Sequence, residues 1–399
     1  MTDTATASVS HEALRQEVRD WLKANWTGPL VGRGAHDAWL AKVVDARWAV
    51  PRWPVEWMGR ALRDTEARII EREFAAVHAP GSGQDRTNLW ANTLLAAGTA
   101  ALKAKLVIPL LKNQVNMCLL YSEPCAGSDL AGIRTRAERQ GAGFVVNGQK
   151  VWTSYAAAAD YGMLIARTDW DVPKHRGISF FFCPMKQPGV EVRPLRQITG
   201  DSHFNEVFLT DVFVPAENLL GELGEGWRVL QTALAYERSL MGEIAARSAR
   251  SSAPESATEE PLIALAREAG ALGDPLLRQE LAKVIAYKKI NAMNMARAKA
   301  DLVQGGSSPI MSLGKLAMSR ILHEEARLWT ALLGAGSLLH GENHPRADDA
   351  NFLTLNAYFT SIGGGTDQIQ RNIIGERVLG LPKEPEIDRD IPFRQVRSR

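Results

Sequence analysis

Residues 226–246 read GWRVLQTALAYERSLMGEIAA, a helical run in which one carboxylate interrupts an apolar stripe. Trp227, Leu230, Leu234, Met241 and Ile244 recur at the three-four spacing of a buried helix face, and Glu237 completes that face. A carboxylate taken out of water pays a desolvation cost that raises its pKa, which suits a general base that loses water together with its substrate. The plain alternative is that Glu237 tilts to solvent or pairs with a distant arginine. Arg238 is not a direct partner, because adjacent helix residues point apart.

A second stretch, Phe359–Arg371, reads FTSIGGGTDQIQR. Gly363, Gly364 and Gly365 allow close backbone approach to a ligand, and Thr366–Arg371 looks like the start of a helix. The backbone N–H of Gly364 can polarise a carbonyl oxygen, but a glycine cannot take a proton. Two further stretches, Tyr121–Asp129 (YSEPCAGSD) and Lys150–Ser154 (KVWTS), read separately as a turn-rich loop and a strand with an aromatic residue.

Several other chemistries find no support. There is no G-x-G-x-x-G after a strand, no P-loop and no G-x-S-x-G. His323–Glu324–Glu325 begins like a zinc-protease helix, but Arg327 stands where the second histidine would be; Gly341 and Pro345 interrupt any helix joining His340 to His344. Cys118, Cys125 and Cys183 lack paired-ligand spacing, which suggests a reduced cytoplasmic compartment. The net charge of +2 favours neither nucleic acid nor a membrane surface, and no apolar run is long enough to span a bilayer. The start, MTDTATASVSHE, lacks the apolar core of a secretory signal.

The elements that must position these residues fall into three zones. Residues 1–116 are helical, with Ser10 as a candidate cap for HEALRQEVRDWLKANW and Leu14, Val18, Trp21 and Leu22 on one face. Residues 117–223 carry six short β-branched or aromatic runs (RTRAERQ, FVVNGQKVWTS, YGMLIART, ISFFFCPM, VEVRPL, NEVFLTDVFV), and Asn147–Gly148 is a hairpin signal. This predicts a small antiparallel β-barrel domain. Residues 224–399 return to long helices, with a Ser/Ala/Glu-rich link at 248–261. The predicted fold class is mostly α with a central β-barrel domain between an N-terminal helical domain and a C-terminal helical bundle.

Together and in this order, SEPCAGSD, NGQKVWTS, VPAENLLGELGEGW and GTDQIQRNIIGERVLGLP resemble the acyl-CoA dehydrogenase family over nearly the whole chain, in its bacterial and particularly actinobacterial form. The resemblance implies an FAD enzyme, with the cofactor between the β domain and the final helices, that oxidises an acyl-CoA thioester to the trans-2-enoyl-CoA. It places Tyr121 and Ser122 at the isoalloxazine edge, Trp152 against the flavin ring and Ser154 near N5. Gly127 and Ser128 fall on the cofactor and pantetheine channel, and Thr366 and Gln368 at FAD phosphate or adenine. Arg267 is assigned to the pyrophosphate of a neighbouring subunit's FAD, and Arg238, Gly363 and Gly364 to substrate.

Many members carry the catalytic glutamate immediately before the Gly-Thr of the terminal loop, where this chain has Gly364. The isovaleryl and long-chain branch keeps it on an earlier helix before an arginine, which here is Glu237. The vacated loop leaves room for a branched or bulky acyl group. The resemblance also implies an electron-transfer flavoprotein as acceptor and a homodimer or homotetramer. Alternatives are a half-site or non-catalytic subunit of a heteromer, an oxidase, or an enzyme acting on a carrier-protein thioester. Five places depart from the family pattern. Cys125, Met58 and Tyr155 occupy glycine positions, the family's R-x-x-F-G is Arg267–Glu268–Ala269–Gly270, and LLGAGSLLHGENHP lacks the Gln-Ile-x-Gly-Gly that helps hold adenine.

Overall fold

The computed structural model describes residues 10–237, 260–303 and 310–396. The chain divides into two compact units: residues 1–195, 202–247 and 388–399 form the first, and residues 196–201 and 248–387 the second.

The first unit begins with helices α1 (His11–Asn25), α2 (Arg33–Asp45), α3 (Asp64–Ala76), α4 (Gln84–Thr87), α5 (Leu89–Ala97) and α6 (Ala100–Leu111). Leu14, Val18 and Leu22 are buried as the spacing predicts, although Ser10 makes no side-chain capping bond. Trp21 packs against the rings of Trp39, Trp48 and Phe74, so several tryptophans serve as core.

Eight strands follow: β1 (Met117–Leu120), β2 (Arg136–Gln140), β3 (Gly143–Ser154), β4 (Tyr161–Arg167), β5 (Ile178–Pro184), β6 (Val190–Leu195), β7 (Phe204–Pro215) and β8 (Leu219–Leu220). The six runs read from the sequence are β2 to β7; the short β1 and β8 carried no periodic signal. The strands lie in the order β6-β7-β3-β2-β4-β5-β8, with β1 parallel to β4. The sheet is open, which corrects the expected barrel. Among the described residues no ladder joins β6 to β8. Pro194 cannot donate to a ladder, and the Glu191–Arg193 ion pair keeps β6 wet, as on edge strands elsewhere. At the centre, β2 meets β4 through the single pair Arg136–Arg167.

The hairpin expected at Asn147–Gly148 is also corrected. Both residues lie inside β3, where the register against β7 slips between Val146 and Gly148. The Asn147 side chain exchanges two hydrogen bonds with Asp211, at 3.0 and 2.9 Å, which fixes a bulge instead of a turn. The β2–β3 turn sits at Gly141, in the left-handed region.

Helix α7 (226–237) carries Glu237. Its first residue packs directly on β5, because a Cβ on Gly226 would lie 2.4 Å from the carbonyl carbon of Ser179. Upstream, Asn218 Nδ2 donates to Phe182 O at 2.8 Å and Gly224 N to Ser179 Oγ at 3.0 Å, so the approach to the helix is pinned to the same strand. Val229, Leu230 and Ala233 then enter a core shared with Tyr121, Met163 and Phe180. Arg238, Met241, Ile244 and most of the 248–261 link lie outside the described residues.

The second unit holds α8 (Pro261–Glu268), α9 (Pro275–Val303), α10 (Ile310–Leu333), α11 (Pro345–Ile362) and α12 (Asp367–Arg377). Its core gathers Leu262, Leu265, Leu281, Val284, Leu328, Trp329 and Ala350.

Gly226→Ala should lift the first turn of α7 from β5 and destabilise the first unit by about 1–3 kcal/mol, the usual cost of overpacking against fixed backbone. Urea unfolding followed by circular dichroism measures it; a midpoint within error of wild type would refute this docking geometry.

Candidate active site

The two motif stretches of the β region are joined through one buried ion pair. Lys150 is fully buried, and its ammonium donates to Tyr121 O at 3.0 Å and to Glu123 Oε1 at 2.8 Å. The Glu123 carboxylate also accepts from Arg134 N at 2.6 Å and Thr135 N at 2.9 Å. Val151 N donates to Ser122 O at 2.9 Å. Burial pushes the Glu123 carboxyl upward, but Lys150 and the two amides outweigh it and hold the group below its usual range. The sequence reading passed over both residues. Their signal was two opposite charges inside motifs whose neighbours are otherwise core or turn.

Tyr121 leaves the end of β1 buried, its ring edge-on to Phe180 at 6.0 Å and its hydroxyl 3.5 Å from Met163 Sδ. Burial first, and then the negative charge of Glu237, push the Tyr121 hydroxyl well above its ordinary pKa, so it stays protonated. Glu237 therefore lies within electrostatic reach of Tyr121. Its side chain is half-buried, three and four residues beyond Leu234 and Ala233 on the face that meets the core.

Trp152 follows Lys150 in a second slip of the β3–β7 register. It has φ +61° and its indole is 60% exposed, touching Phe204 edge-on at 6.0 Å. Left-handed backbone at a bulky residue stores strain of about 1–3 kcal/mol and clusters at ligand sites. Ser154 is half-buried opposite Phe204. Met58 (φ +64°) and Tyr155 (φ +55°) also hold left-handed backbone, which explains why glycine suits those positions in the family. Ser122 is half-buried, and Gly127 and Ser128 are exposed on the turn before Asp129. Lys174 reaches both oxygens of Asp129 at 3.2 Å.

In the second unit, the glycine loop is clamped from α10. Lys315 donates to Thr360 O at the end of α11 and to Asp367 Oδ1 at 3.1 Å at the start of α12. Ser319 bonds both Ser361 and Asp367 at 2.8 Å, and His323 Nε2 meets Ser361 Oγ at 2.7 Å. Gly364 (φ +64°) and Gly365 (φ +87°) are left-handed, whereas Gly363 is not. Thr366 caps α12 by accepting from Ile369 N at 3.2 Å, which leaves its hydroxyl hydrogen for another acceptor. Gln368 is exposed; Gln370, which the sequence reading did not single out, is buried with its amide 3.5 Å from Gly364 O. Arg267 is exposed in the last turn of α8.

His340 pairs with Asp348. Among the described residues no group of three or more His, Cys, Asp or Glu side chains could hold a metal ion, and no helix is long and apolar enough to cross a membrane.

An open mixed sheet between helical stretches of the chain, with a buried lysine–glutamate tie two residues from an exposed tryptophan and a half-buried glutamate within electrostatic reach of a protonated tyrosine, defines a class that the comparisons resolve. Residues 118–212 match the acyl-CoA dehydrogenase middle domain and residues 224–379 its C-terminal domain. Acyl-CoA dehydrogenase IpdE1 of Mycolicibacterium smegmatis is 36% identical over 404 residues, covering 94% of this chain and 98% of that protein. Acyl-CoA dehydrogenase FadE34 of Mycobacterium tuberculosis is 38% identical over 346 residues, covering 86% of this chain; the chain spans 46% of that protein's length. A solved structure described as "Tcur3481-Tcur3483 steroid ACAD" superposes with TM-score 0.71 at 26% identity, over 96% of this chain and all of that one. The chain belongs to the acyl-CoA dehydrogenase family, whose members are flavoprotein oxidoreductases.

Lys150→Met should cost about 3–5 kcal/mol, because Glu123 keeps its charge in a buried site, while Lys150→Met with Glu123→Gln should recover much of that loss. In wild type the folded pKa of Glu123 lies below its unfolded value. Its contribution is therefore complete above the unfolded carboxylate range and declines as pH falls below about 4. Urea midpoints against pH check both, and a double variant no more stable than Lys150→Met would contradict the first.

Proposed function

We propose that this protein catalyses FAD-dependent α,β-dehydrogenation of an acyl-CoA thioester with a bulky acyl group, with Glu237 as the base. The observation that carries the reading is the half-buried Glu237 on the core side of α7, near enough to Tyr121 to add to the rise that burial gives its hydroxyl pKa. In that partly apolar setting Glu237 would take the proton from the carbon α to the thioester carbonyl. The backbone N–H of Gly364 would donate to the carbonyl oxygen, in the manner of an oxyanion contact.

The residues fit FAD on two counts. Trp152 presents a broad indole face from a strained backbone fixed by the β3 bulge, as a flat ring system needs. The capped start of α12 offers amide N–H groups and the Thr366 hydroxyl, which suit a phosphate. Tyr121, Ser122, Gly127, Ser128, Trp152, Ser154, Thr366 and Gln368 would contribute to holding it, and Arg267 would reach the FAD of a neighbouring subunit. Bound FAD would supply the acceptor for the β-hydrogen. An electron-transfer flavoprotein is the acceptor that this reading carries with it.

Two features support a bulky acyl group: position 364 lacks a side chain, and the solved relative is described as a steroid enzyme. A second reading, one subunit of a heteromer, is favoured by the two names joined in that description and by the missing Gln-Ile-x-Gly-Gly segment.

Flavin bleaching on anaerobic addition of acyl-CoA tests the reading. Glu237→Gln should slow it by roughly 10²–10⁴-fold, and ring-bearing thioesters should outpace short straight ones. Reduction at the wild-type rate in the variant would remove Glu237 as base. Purification without flavin, restored by a co-expressed related chain, would select the heteromer.

A further inference from the structure

The family match ends at residue 379, yet residues 388–396 belong to the first unit and bond the loop between β4 and β5. Phe393 is buried; its N–H donates to Val172 O at 2.9 Å, and Arg394 N donates to Trp170 O at 3.0 Å. The Phe393 ring lies 5.5 Å from Trp170 and directly under the guanidinium of Arg167, 3.4 Å from ring centroid to Cζ. Arg167 is itself fully buried at the end of β4. It spends its donors on the backbone: Nε on Ile133 O at 3.1 Å, Nη2 on Ala131 O at 2.7 Å and Nη1 on Lys174 O at 3.1 Å. The Lys174 ammonium lies between Asp129, at 3.2 Å, and Asp388 of the same tail, at 3.8 Å.

A buried guanidinium bonded to carbonyls needs its face covered by something that tolerates a cation, and an aromatic ring meets that need while aliphatic packing does not. Removing the ring would wet Arg167 and loosen its grip on residues 131–133. The turn Gly127–Ser128–Asp129 is continuous with those residues.

We propose that the C-terminal segment 388–396 is a positioning strap, in which Phe393 acts through Arg167, and Asp388 through Lys174, to hold loop 129–135 and the Ser128 turn in the shape that receives the pantetheine arm of the substrate. In this role the segment acts only through Arg167 and Lys174. The inference rests on the proposed function for the identity of the ligand, while the mechanical part stands alone.

Two measurements on the full-length protein separate these parts. Hydrogen exchange compares wild type with Phe393→Leu, which keeps an apolar side chain but loses the aromatic face. Amides in 129–135, including Gly132 on Asp129 O and Arg134 and Thr135 on Glu123, should exchange roughly tenfold faster or more in the variant. Phe393→Trp should restore protection. Steady-state kinetics then compares an acyl-CoA with the matching N-acetylcysteamine thioester, which lacks most of the pantetheine arm. Phe393→Leu should raise KM for the CoA thioester about fivefold at nearly constant kcat, and leave the short thioester unchanged. Unchanged exchange overturns the strap. Faster exchange with equal KM shifts for both thioesters, or with a loss confined to kcat, overturns the link to the CoA arm. If no acyl-CoA is turned over by wild type, the functional reading fails and exchange alone decides the strap.

Discussion

The pair formed by Lys150 and Glu123 organises the candidate site. Bringing two opposite charges out of water costs several kcal/mol per ion, and their attraction repays this only when the remaining donors and acceptors are filled. Here they are well supplied: Glu123 takes the Arg134 and Thr135 amides besides the ammonium, and Lys150 also takes the Tyr121 carbonyl. One pair thus fixes the exit of β1, the turn after it, the return at 134–135 and the middle of β3. Such a pair adds little net stability over an apolar substitute. Its effect is to tie Tyr121 and Trp152, far apart in the chain, to one frame.

Strain follows from that frame. Lys150 must point inward and Thr153 is also buried, so the bulge between them turns Trp152 outward on left-handed backbone. A flat β3 would have alternated faces and put the indole on the buried face beside Lys150. Tyr155 continues the irregular path at φ +55°, its N–H bonded to His203 O at 2.9 Å. The strained residues therefore flank the ion pair that over-determines the local chain, as persistence of such strain requires.

Local pattern made much of this legible. The six strands β2–β7 and the helical character of both flanking stretches follow from periodicity, and Leu14, Val18 and Leu22 were core by spacing alone. What escaped was set by partners distant in sequence. Asn147–Gly148 looks like a turn until Asp211 is seen bonded to Asn147. The openness of the sheet depends on the edges of β6 and β8, which no single run displays. Phe393 carries no local sign that it will lie under Arg167. The motif residues were legible as a family resemblance, whereas the charge pairing of Glu123 with Lys150 required the fold.

A carboxylate at position 364 would sit on strained backbone. Gly364 has φ +64°, with open space where a Cβ would project, so sterics toward neighbours do not forbid a glutamate there. The backbone opposes it: an L-residue in this conformation costs about 1–2 kcal/mol, and the loop is clamped at both ends. Lys315 holds the last turn of α11 to the first residue of α12, and Ser319 repeats the bridge one turn along α10. Between those fixed ends, Gly364 and Gly365 take left-handed conformations. A chain committed to that geometry has a loop suited to presenting N–H groups and poorly suited to presenting a carboxylate. The proposed base, Glu237 on α7, makes no such demand on the loop.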